Sequence, residues 1–543
     1  MKKLFILSLI LSLLPQLVKA QIQIDKERLT GDDPKARFQA IYDAQVAAVE
    51  ADTYVDYSPF SKQTIYLEIP ENPQTIPLAK KNDFFDIVLV VLNEQKNYTL
   101  FGRSNKTIPL EIETEIIDAG DYRNVEELSS GEKLLVVTDN NNWIAERKGY
   151  GYSVKRNDLI QINNGYGNKP VTLYTTPATD MKCSYVNIDG DTLRMSRLHV
   201  RRHPSSTFRT GVVGFGNLCH VRLEKITVAT PQYHKFNSSA TSALQTLCPH
   251  DSSGITSRTK SRIKLEHDGV ISISNCADIE LKDVVIDGTH TIPGSYGYAL
   301  SVGNTYNARF DHVVADANWG VFGSNFMHQT TLSNCDLNRF DIHCYGRDVE
   351  CNDCVFRKKQ TQFSSFYGTV RFNRCVFDDC VPVRVRGDYN AHTPFEVEFN
   401  DCSFMTTLTH HHLVNVILYD TTHNARPELH DKYFPSVRVK GMKVEMPRTV
   451  RSLDVYHPTG ATELCGQAGA IKVLDNVKIE GLQVVTPSNR MLTPQIRIST
   501  TPLTTMDTTG RVGQGADVNS QRINKRGKKG REIKVRNLIG IVR

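Results

Sequence analysis

Five residues near the middle of the chain have the side chains that acid–base chemistry on an acidic substrate requires. Asp341, His343 and Tyr345 alternate along one short segment, and Arg384 and Arg386 alternate along another. Imidazole and phenol groups can exchange a proton with a substrate, and a guanidinium group can neutralise a substrate carboxylate. We therefore predict these five residues as candidate catalytic groups for removing a proton next to a carboxylate.

Basic and aromatic residues gather around these five positions. Aromatic side chains can stack on flat faces of a ligand, and lysine and arginine can bind its negative charges. The candidate substrate-binding residues are Arg347, Trp319, Tyr389, His392 and Lys358. The alternative is that all of these residues, and the five candidate catalytic ones, are solvated residues on the outer face of a sheet, which is the ordinary position of charged side chains.

Three adjacent histidines, His410, His411 and His412, are potential metal ligands. Successive side chains of a strand point to opposite faces, so these three cannot all bind one ion unless the chain turns. The acidic residues also form no calcium loop of alternating carboxylates that ends in glutamate. The sequence therefore predicts no cofactor and no metal site, and Ca²⁺ stays open as an alternative that no motif supports.

The elements that must position these residues come from a repeat. Its unit has two alternating apolar residues, a polar residue, and then two more apolar residues separated by one position. It recurs at 193–200, 221–228, 279–286, 308–315, 330–337, 349–356, 370–377, 397–404, 437–444, 477–484 and 533–540. The first apolar residue after the polar one is the key position, and in the middle of the chain successive key positions are 29, 22, 19, 21 and 27 residues apart.

The alternation within each unit predicts strands with one face buried and one exposed, and the polar residue suits a turn toward the next strand. Leucine-rich repeats and propellers require more regular spacing. We therefore predict one coil of a β-solenoid per unit, with insertions leaving the coil as loops.

A second strand in each coil is predicted to carry an outward-facing stripe, with neighbouring coils about 4.8 Å apart. On this spacing the arginines lie roughly 10 Å from Asp341, which suits a groove for a chain-like ligand. The predicted stripe contains Ser301, Phe322, Asp341, His343, Tyr345, Ser364, Phe366, Arg384, Arg386 and Asn415.

The chain has 12 cysteines, and four of them, Cys335, Cys354, Cys375 and Cys402, occupy key positions where other units have valine, isoleucine or leucine. This placement favours buried, small apolar side chains over disulfides. Pairing of Cys344 with Cys351, or of Cys380 with its neighbours, is the alternative.

The first residues predict export. Two lysines, an apolar run and Ala20 form a signal peptide over 1–20, and this run is too short to span a membrane. Residues 21–130 are predicted to form an N-terminal cap and the first strands, with a helix over 34–51 that buries Phe38, Ile41, Val46 and Val49. The predicted β-helix covers 131–543, with a polar insertion near 500–531.

The net charge of +6 is concentrated at the end of the chain, where residues 522–543 contain nine lysines and arginines against the single Glu532. The rest of the mature chain is slightly acidic. Such a short basic tail is ordinarily a solvated end, so no nucleic-acid partner and no membrane span are predicted.

The strand pattern and the signal peptide resemble the right-handed parallel β-helix superfamily, which includes pectate lyases, polygalacturonases, chondroitin and alginate lyases, and phage tailspike depolymerases. The resemblance covers roughly residues 130–543. It implies an all-β, right-handed parallel β-helix solenoid with an N-terminal capping helix, secreted from the cell and acting on a polysaccharide. It transfers no catalytic residue, because Arg262-Ile263-Lys264 precedes Asp378-Asp379, the reverse of the order in polygalacturonases.

The resemblance leaves three functions open. The first is a lyase that cleaves an anionic polysaccharide by β-elimination, using His343, Tyr345 and the two arginines. The second is a glycoside hydrolase, for which Asp316, Asp341 and Asp388 are the candidate carboxylates. The third is a non-catalytic glycan-binding or adhesion protein.

Overall fold

The computed structural model describes most of the chain from Gln21 onward. The predicted signal peptide and the insertion at 500–531 lie outside the described residues. The described ranges are 21–93, 95, 98–146, 153–174, 180–202, 210–229, 270–287, 298–315, 320–364, 366–386, 395–408, 411–417, 432–447, 449–450, 452–459, 471–473, 476–486, 495–498, 532–536 and 539–542.

Strands make up most of the described chain. The helices are α1 Lys26–Thr30, α2 Pro34–Glu50 and α3 Thr114–Ala119, with a 3-10 turn at Ser58–Phe60. The strands up to the middle of the chain are β1 Ile22–Gln23, β2 Val55–Asp56, β3 Thr64–Leu67, β4 Ile76–Pro77, β5 Lys81–Val91, β6 Tyr98–Ser104, β7 Ile108–Leu110, β8 Glu132–Glu146, β9 Ser153–Asn163, β10 Tyr166–Gly167, β11 Met181–Ile188, β12 Leu193–Arg201, β13 Thr210–Ala229, β14 Ile271–Asp287, β15 Tyr298–Ala315, β16 Gly320–Ser333 and β17 Asp336–Asn352.

The remaining strands are shorter and continue the same architecture. They are β18 Val355–Phe363, β19 Phe366–Asn373, β20 Val376–Asp378, β21 Val381–Val385, β22 Phe395–Asn400, β23 Ser403–Met405, β24 His412–Ile417, β25 Lys432–Phe434, β26 Ser436–Lys440, β27 Lys443–Glu445, β28 Ser452–Thr459, β29 Ile471–Val473, β30 Asn476–Glu480, β31 Gln483–Thr486, β32 Gln495–Ile498, β33 Glu532–Arg536 and β34 Ile539–Val542.

One parallel sheet of 25 strands winds around a common apolar core. Its register continues from coil to coil: Ile226 pairs with Leu198 on one side and with Val284 on the other. All three are key positions of the sequence repeat, so equivalent positions stack. The chain is therefore a right-handed parallel β-helix, and the fold predicted from the repeat is confirmed.

In the ten repeats whose polar residue is described, that residue turns the chain at one corner of the coil. It has a φ of 52° to 55° where it is not glycine, and 74° and 67° at Gly441 and Gly481. Short polar side chains tolerate this left-handed conformation better than others, and at Gly441 an added Cβ would lie 2.1 Å from Asp401 Oδ1. We call these residues the corner column: Arg197, Lys225, Asp283, His312, Asn334, Asp353, Arg374, Asp401, Gly441 and Gly481.

The core inside the coil is built in layers. The Phe372 ring stacks on Phe399 with centroids 5.4 Å apart, and Phe356 stacks on Phe377 at 5.6 Å. The cysteines at key positions are buried free thiols, as predicted, and Cys351 and Cys380 are also free and buried. The side chain of Cys344 lies outside the described part of the chain.

The coil begins earlier than the sequence predicted. Strand β3 pairs in parallel with β5, and β5 pairs in parallel with β12, so the first coil starts at Thr64 and not near residue 131. Residues 108–188 leave the coil and form a five-stranded sheet of β7 to β11 whose pairings are antiparallel. We call this excursion the lateral sheet. Sequence alternation missed it because parallel and antiparallel strands share the same period of two.

Helix α2 lies where the sequence predicted a helix and packs against β3 and β4. Asp33 caps its first turn by accepting a hydrogen bond from the Lys35 backbone at 2.9 Å. Phe38 and Ile41 are buried as predicted, but Val46 is only partly buried and Val49 is 39% exposed. Ala44 and Ala48 complete the buried face instead, at positions three residues after Ile41 and four after Ala44. In the described part of the chain, no helix has the length and apolarity that crossing a membrane requires.

Candidate functional site

The candidate site begins with an irregularity in β17. Ser324 of β16 pairs with Ile342, and the next residue, Asn325, pairs with Cys344. His343 is therefore an extra residue in β17 that has no counterpart in β16. A β-bulge of this kind re-aims the side chains around it, and bulges are frequent next to active sites.

Three side chains meet at the carboxylate of Asp341. The Tyr298 hydroxyl donates to Asp341 Oδ2 at 2.7 Å. His343 Nε2 lies 3.2 Å from the same oxygen and 3.0 Å from the Tyr298 hydroxyl. Arg339 forms an ion pair with Asp341 Oδ2. We call Tyr298, Arg339, Asp341 and His343 the Asp341 cluster.

The cluster is buried except for its imidazole. The side chains of Asp341 and Arg339 are 0% and 7% exposed, whereas that of His343 is 19% exposed. Burial alone would raise the pKa of Asp341, but the charge of Arg339 and the hydrogen bonds of His343 and Tyr298 outweigh it and lower that pKa. Asp341 is therefore ionised at neutral pH. In the tautomer with its proton on Nε2, His343 donates to Asp341 and Nδ1 is the basic nitrogen of the ring.

Gly323 opens the path by which Tyr298 reaches Asp341. Tyr298 starts β15, and Asp341 lies two coils further on in β17. Gly323, in the coil between them, pairs with Ser301 on one side and with Asp341 on the other. A Cβ at Gly323 would lie 2.4 Å from the Tyr298 ring, so a glycine is needed here for the ring to lie across the strand.

Amide and guanidinium groups continue this face beyond the cluster. The backbone register leads from Asp341 to Gln362 and from Gln362 to Arg384. Arg384 Nη1 donates to Gln360 Oε1 at 2.8 Å, and Arg386 Nη1 donates to Gln362 Oε1 at 3.2 Å. Gln360 Nε2 also donates to Gln362 Oε1 at 2.9 Å. Each arginine therefore reaches back by one coil toward Asp341.

The structure places Tyr345 elsewhere. Its ring is completely buried and its hydroxyl donates to the Asn157 carbonyl of the lateral sheet. Burial raises the pKa of this phenol. Tyr345 therefore does not join the Asp341 cluster, because its ring packs against Phe326 and Tyr367 and its hydroxyl is bound by the lateral sheet. Phe366 is not on the stripe, because it packs in the apolar core.

The remaining predicted binding residues do not join the cluster in the described structure. Arg347 Nε lies 3.5 Å from Asp348 Oδ2, on a side chain that is 42% exposed. Other candidates lie outside the described residues: Trp319, Tyr389, His392, the side chain of Lys358, and the carboxylates of Asp316 and Asp388.

Two residues of the histidine triplet are described, and their ring centroids lie 6.2 Å apart. The His412 ring stacks on His457 with centroids 4.6 Å apart, and His411 Nε2 and His457 Nδ1 lie 4.0 and 3.8 Å from Asp454 Oδ2. His410 lies outside the described residues. Within the described ranges, no group of three or more His, Cys, Asp or Glu side chains is arranged to hold a metal ion.

Two members of the Asp341 cluster, Tyr298 and Arg339, were not predicted from the sequence. The predicted stripe included Ser301 of the same strand, but no local pattern distinguishes Tyr298 from other aromatic residues. The signal that could have found it is Gly323, a glycine within a strand, because such a glycine often marks the close approach of another group.

No protein family matches the sequence, and no curated protein is similar to it. Solved structures similar to this chain include the tailspike gp49 of Pseudomonas phage LKA1, with 10% identity, 85% of this chain and 78% of that chain covered, and a TM-score of 0.40. The Gp54 tailspike of Acinetobacter baumannii phage AP22, solved with a capsular saccharide of A. baumannii, has 12% identity, coverage of 89% and 80%, and a TM-score of 0.39. PfbA, a surface adhesin of Streptococcus pneumoniae, has 9% identity, coverage of 88% for both chains, and a TM-score of 0.32.

Proposed function

We propose that this chain is an exported polysaccharide-degrading enzyme that cleaves an anionic polysaccharide by β-elimination at the Asp341 cluster. The observation that carries the proposal is the shared carboxylate, whose Oδ2 lies 2.7 Å from the Tyr298 hydroxyl and 3.2 Å from His343 Nε2. Two proton-transfer groups thereby lie 3.0 Å apart. A β-elimination needs a base, an acid and a nearby positive charge, and this arrangement supplies the first two.

His343 is the proposed base, because its ring is the exposed member of the cluster. Nδ1 takes the proton from C5 of an acidic sugar, the electron pair of that C–H bond forms the C4–C5 double bond, and the bond from C4 to the glycosidic oxygen breaks. The leaving oxygen takes the proton of the Tyr298 hydroxyl. The tyrosinate then recovers a proton from His343 Nε2 across their 3.0 Å contact, which leaves both groups neutral with the substrate proton on Nδ1. Loss of that proton to solvent and uptake of one at Nε2 restore the starting tautomer.

Arg384 and Arg386 are the proposed binding groups for the sugar carboxylate. Both are only partly buried, and their hydrogen bonds to Gln360 and Gln362 direct the guanidinium groups toward the coil of Asp341. A neutralised carboxylate makes the neighbouring C5 proton more acidic, because positive charge stabilises the carbanion-like transition state. In this proposal Tyr298 takes the proton-donor role that the sequence suggested for Tyr345.

A non-catalytic glycan-binding protein is the second candidate, and one observation favours it. Asp341 and Gln362 are completely buried, as expected of a polar network that only stabilises the fold. A glycoside hydrolase needs a pair of carboxylates, and the described residues of the cluster supply one, Asp341.

The test uses purified mature chain and a panel of acidic and neutral polysaccharides, followed by ultraviolet absorbance and by reducing ends. A lyase raises both signals, a hydrolase raises reducing ends alone, and a binding protein raises neither. The matched variants are His343→Ala and His312→Ala, since His312 also contacts an aspartate but lies in the corner column. We expect His343→Ala to lose at least about 100-fold in activity and His312→Ala to keep it. Equal activities would contradict the assignment of the base.

Export is the part of the proposal that depends on residues 1–20. Mass spectrometry of protein recovered from outside the cytoplasm should find a mature chain that begins at Gln21. A full-length chain that stays in the cytoplasm would contradict it.

A further inference from the structure

A second polar cluster joins the lateral sheet to the coil. His220 Nδ1 lies 2.6 Å from Asp278 Oδ2, and His220 Nε2 lies 2.8 Å from Glu132 Oε2. Glu132 is the first residue of β8 in the lateral sheet, whereas His220 and Asp278 lie on adjacent coil strands, β13 and β14. The imidazole therefore bridges two carboxylates that belong to different sheets.

These two short contacts require two N–H donors. An ionised carboxylate only accepts hydrogen bonds, and a neutral imidazole has one N–H, whereas the imidazolium has two. The doubly protonated ring satisfies both carboxylates at once. When the ring of His220 loses a proton, one of its nitrogens presents a lone pair to a carboxylate oxygen, and that contact becomes repulsive.

Other polar groups hold the two carboxylates in place. On the coil side, Arg222 Nη2 lies 2.9 Å from Asp278 Oδ2 and its Nε lies 3.0 Å from Glu280 Oε2, while Asn307 donates to Asp278 Oδ1 at 3.3 Å. Asp278 therefore keeps a charged partner when His220 is neutral.

On the lateral-sheet side, Glu132 has weaker support. Gln161 of β9 donates to Glu132 Oε1 at 2.8 Å, which is a hydrogen bond from a neutral amide. Burial alone would lower the pKa of His220, but its hydrogen bonds to Asp278 and Glu132 outweigh this and raise it. The contact to Glu132 is the one that deprotonation weakens, because the charge of Arg222 already compensates Asp278.

An apolar contact next to this bridge does not depend on pH. Leu134, Leu159 and Val186 of the lateral sheet pack against Cys219 and Ala277 of the coil, and all five are buried. Burial keeps the Cys219 thiol neutral by raising its pKa. The lateral sheet is therefore held by a permanent apolar patch, with the charged bridge at one edge.

We propose that His220 is a pH-sensitive clamp between the lateral sheet and the coil. The clamp is closed when the imidazole is protonated and partly released when the imidazole is neutral. Its state sets how firmly the first residues of β8 dock on the coil. This proposal is independent of the proposed function. Because His220 has a raised pKa in the docked state, its contribution is complete below the ordinary value of about 6.5 and is lost as pH rises through the docked value.

Hydrogen exchange of the backbone amides, corrected for the intrinsic pH dependence of exchange, tests the clamp. As pH rises from 5.5 to 8.5, we expect the protection of amides in the first half of β8 to fall. The protection factor should fall by up to about tenfold for each pKa unit by which docking raises the pKa of His220. Amides of β14 in the coil serve as the internal reference, and their protection should stay constant.

Three variants decide the outcome. At every pH, His220→Gln should show the weak protection that the wild-type protein shows at pH 8.5. Glu132→Gln should show strong protection with no pH dependence, because an amide can donate to or accept from the ring in either protonation state. His312→Gln, which removes another histidine that contacts an aspartate, should keep the wild-type profile. A flat wild-type profile, or one that Glu132→Gln leaves unchanged, would overturn the proposal even if His220→Gln fails to fold.

Discussion

The corner column and the Asp341 cluster each contain a histidine beside an aspartate, but the two regions use the pair differently. In the corner column, His312 Nδ1 lies 2.7 Å from Asp283 Oδ1, and the two side chains are 57% and 34% exposed. In the cluster, His343 Nε2 lies 3.2 Å from Asp341 Oδ2, and the exposures are 19% and 0%. One pair is solvated at a turn, and the other is buried beside a bulge.

The difference shows which polar residues of a solenoid are candidates for function. Corner residues recur with the period of the coil because every coil must turn, and their side chains pair along the column, as Arg374 does with Asp353 at 2.6 Å. The cluster instead combines residues from different positions of the coil. Desolvating a charge is costly unless it is paired, so a buried polar group that no turn requires calls for another explanation.

The largest expected effect is the loss of the buried carboxylate. Asp341→Ala leaves Arg339 buried without its partner charge, and we expect it to lower the free energy of unfolding by about 3–5 kcal/mol. Asp283→Ala, the matched change in the corner column, should cost no more than about 1 kcal/mol because its pair is solvated. Urea denaturation of both variants measures the difference. Equal losses would remove the distinction between the two regions.

A smaller effect is expected from filling the space at Gly323. In Gly323→Ala the new methyl group meets the Tyr298 ring, and we expect a loss of about 1–3 kcal/mol. Gly303→Ala is the control, because a Cβ at Gly303, on the neighbouring strand β15, has no heavy atom within 4 Å. If the two variants unfold at the same denaturant concentration, Tyr298 does not lie across Gly323.

Acid should separate the two regions further. The pKa of Asp341 is lowered in the folded state, so the stability that it contributes is present above the ordinary value of about 3.9 and is lost as pH falls through the lower native value. Asp353 has its pKa lowered by its hydrogen bond to Arg374, but it is exposed. Between pH 6 and pH 2, the melting temperature of Asp341→Asn should fall less than that of the wild-type protein. Added salt should reduce the stability change that Asp353→Asn causes and should leave that of Asp341→Asn unchanged.

The smallest effect concerns the backbone of the corner column. Lys225 has a φ of 55°, so Lys225→Gly should change the free energy of unfolding by no more than about 0.5 kcal/mol, as relief of strain offsets the greater freedom of the unfolded chain. Lys225→Val should destabilise by about 1–2 kcal/mol, because a branched Cβ is poorly tolerated there. Chemical denaturation checks both. A valine variant as stable as the glycine variant would contradict the role of the left-handed corner.

Much of the fold was predictable from local patterns. The alternation around Ile226 and Val284 placed equivalent residues in register, and the polar residue before each key position is the one that turns the corner. These features depend on neighbours a few residues away and recur in many coils, so each occurrence supports the others. The free, buried Cys375 follows from the same repetition.

The candidate site was predictable only in part. Asp341 and Arg384 lie on one face, in register through Gln362, as the predicted stripe required. Tyr345 does not reach Asp341 because the lateral sheet covers it and binds its hydroxyl, and that contact joins residues 188 positions apart in the sequence. Tyr298 was missed because it reaches Asp341 across 43 residues of sequence.

The sequence by itself determined that the chain forms a β-solenoid and where its repeated corners lie, because alternation and turn residues act over a few positions and are repeated along the chain. Only the tertiary structure decided that residues 108–188 leave the coil, that the bulge falls at His343, and that Tyr298 and Arg339 converge on Asp341. These features depend on contacts between coils, where one glycine or one extra residue changes which side chains meet.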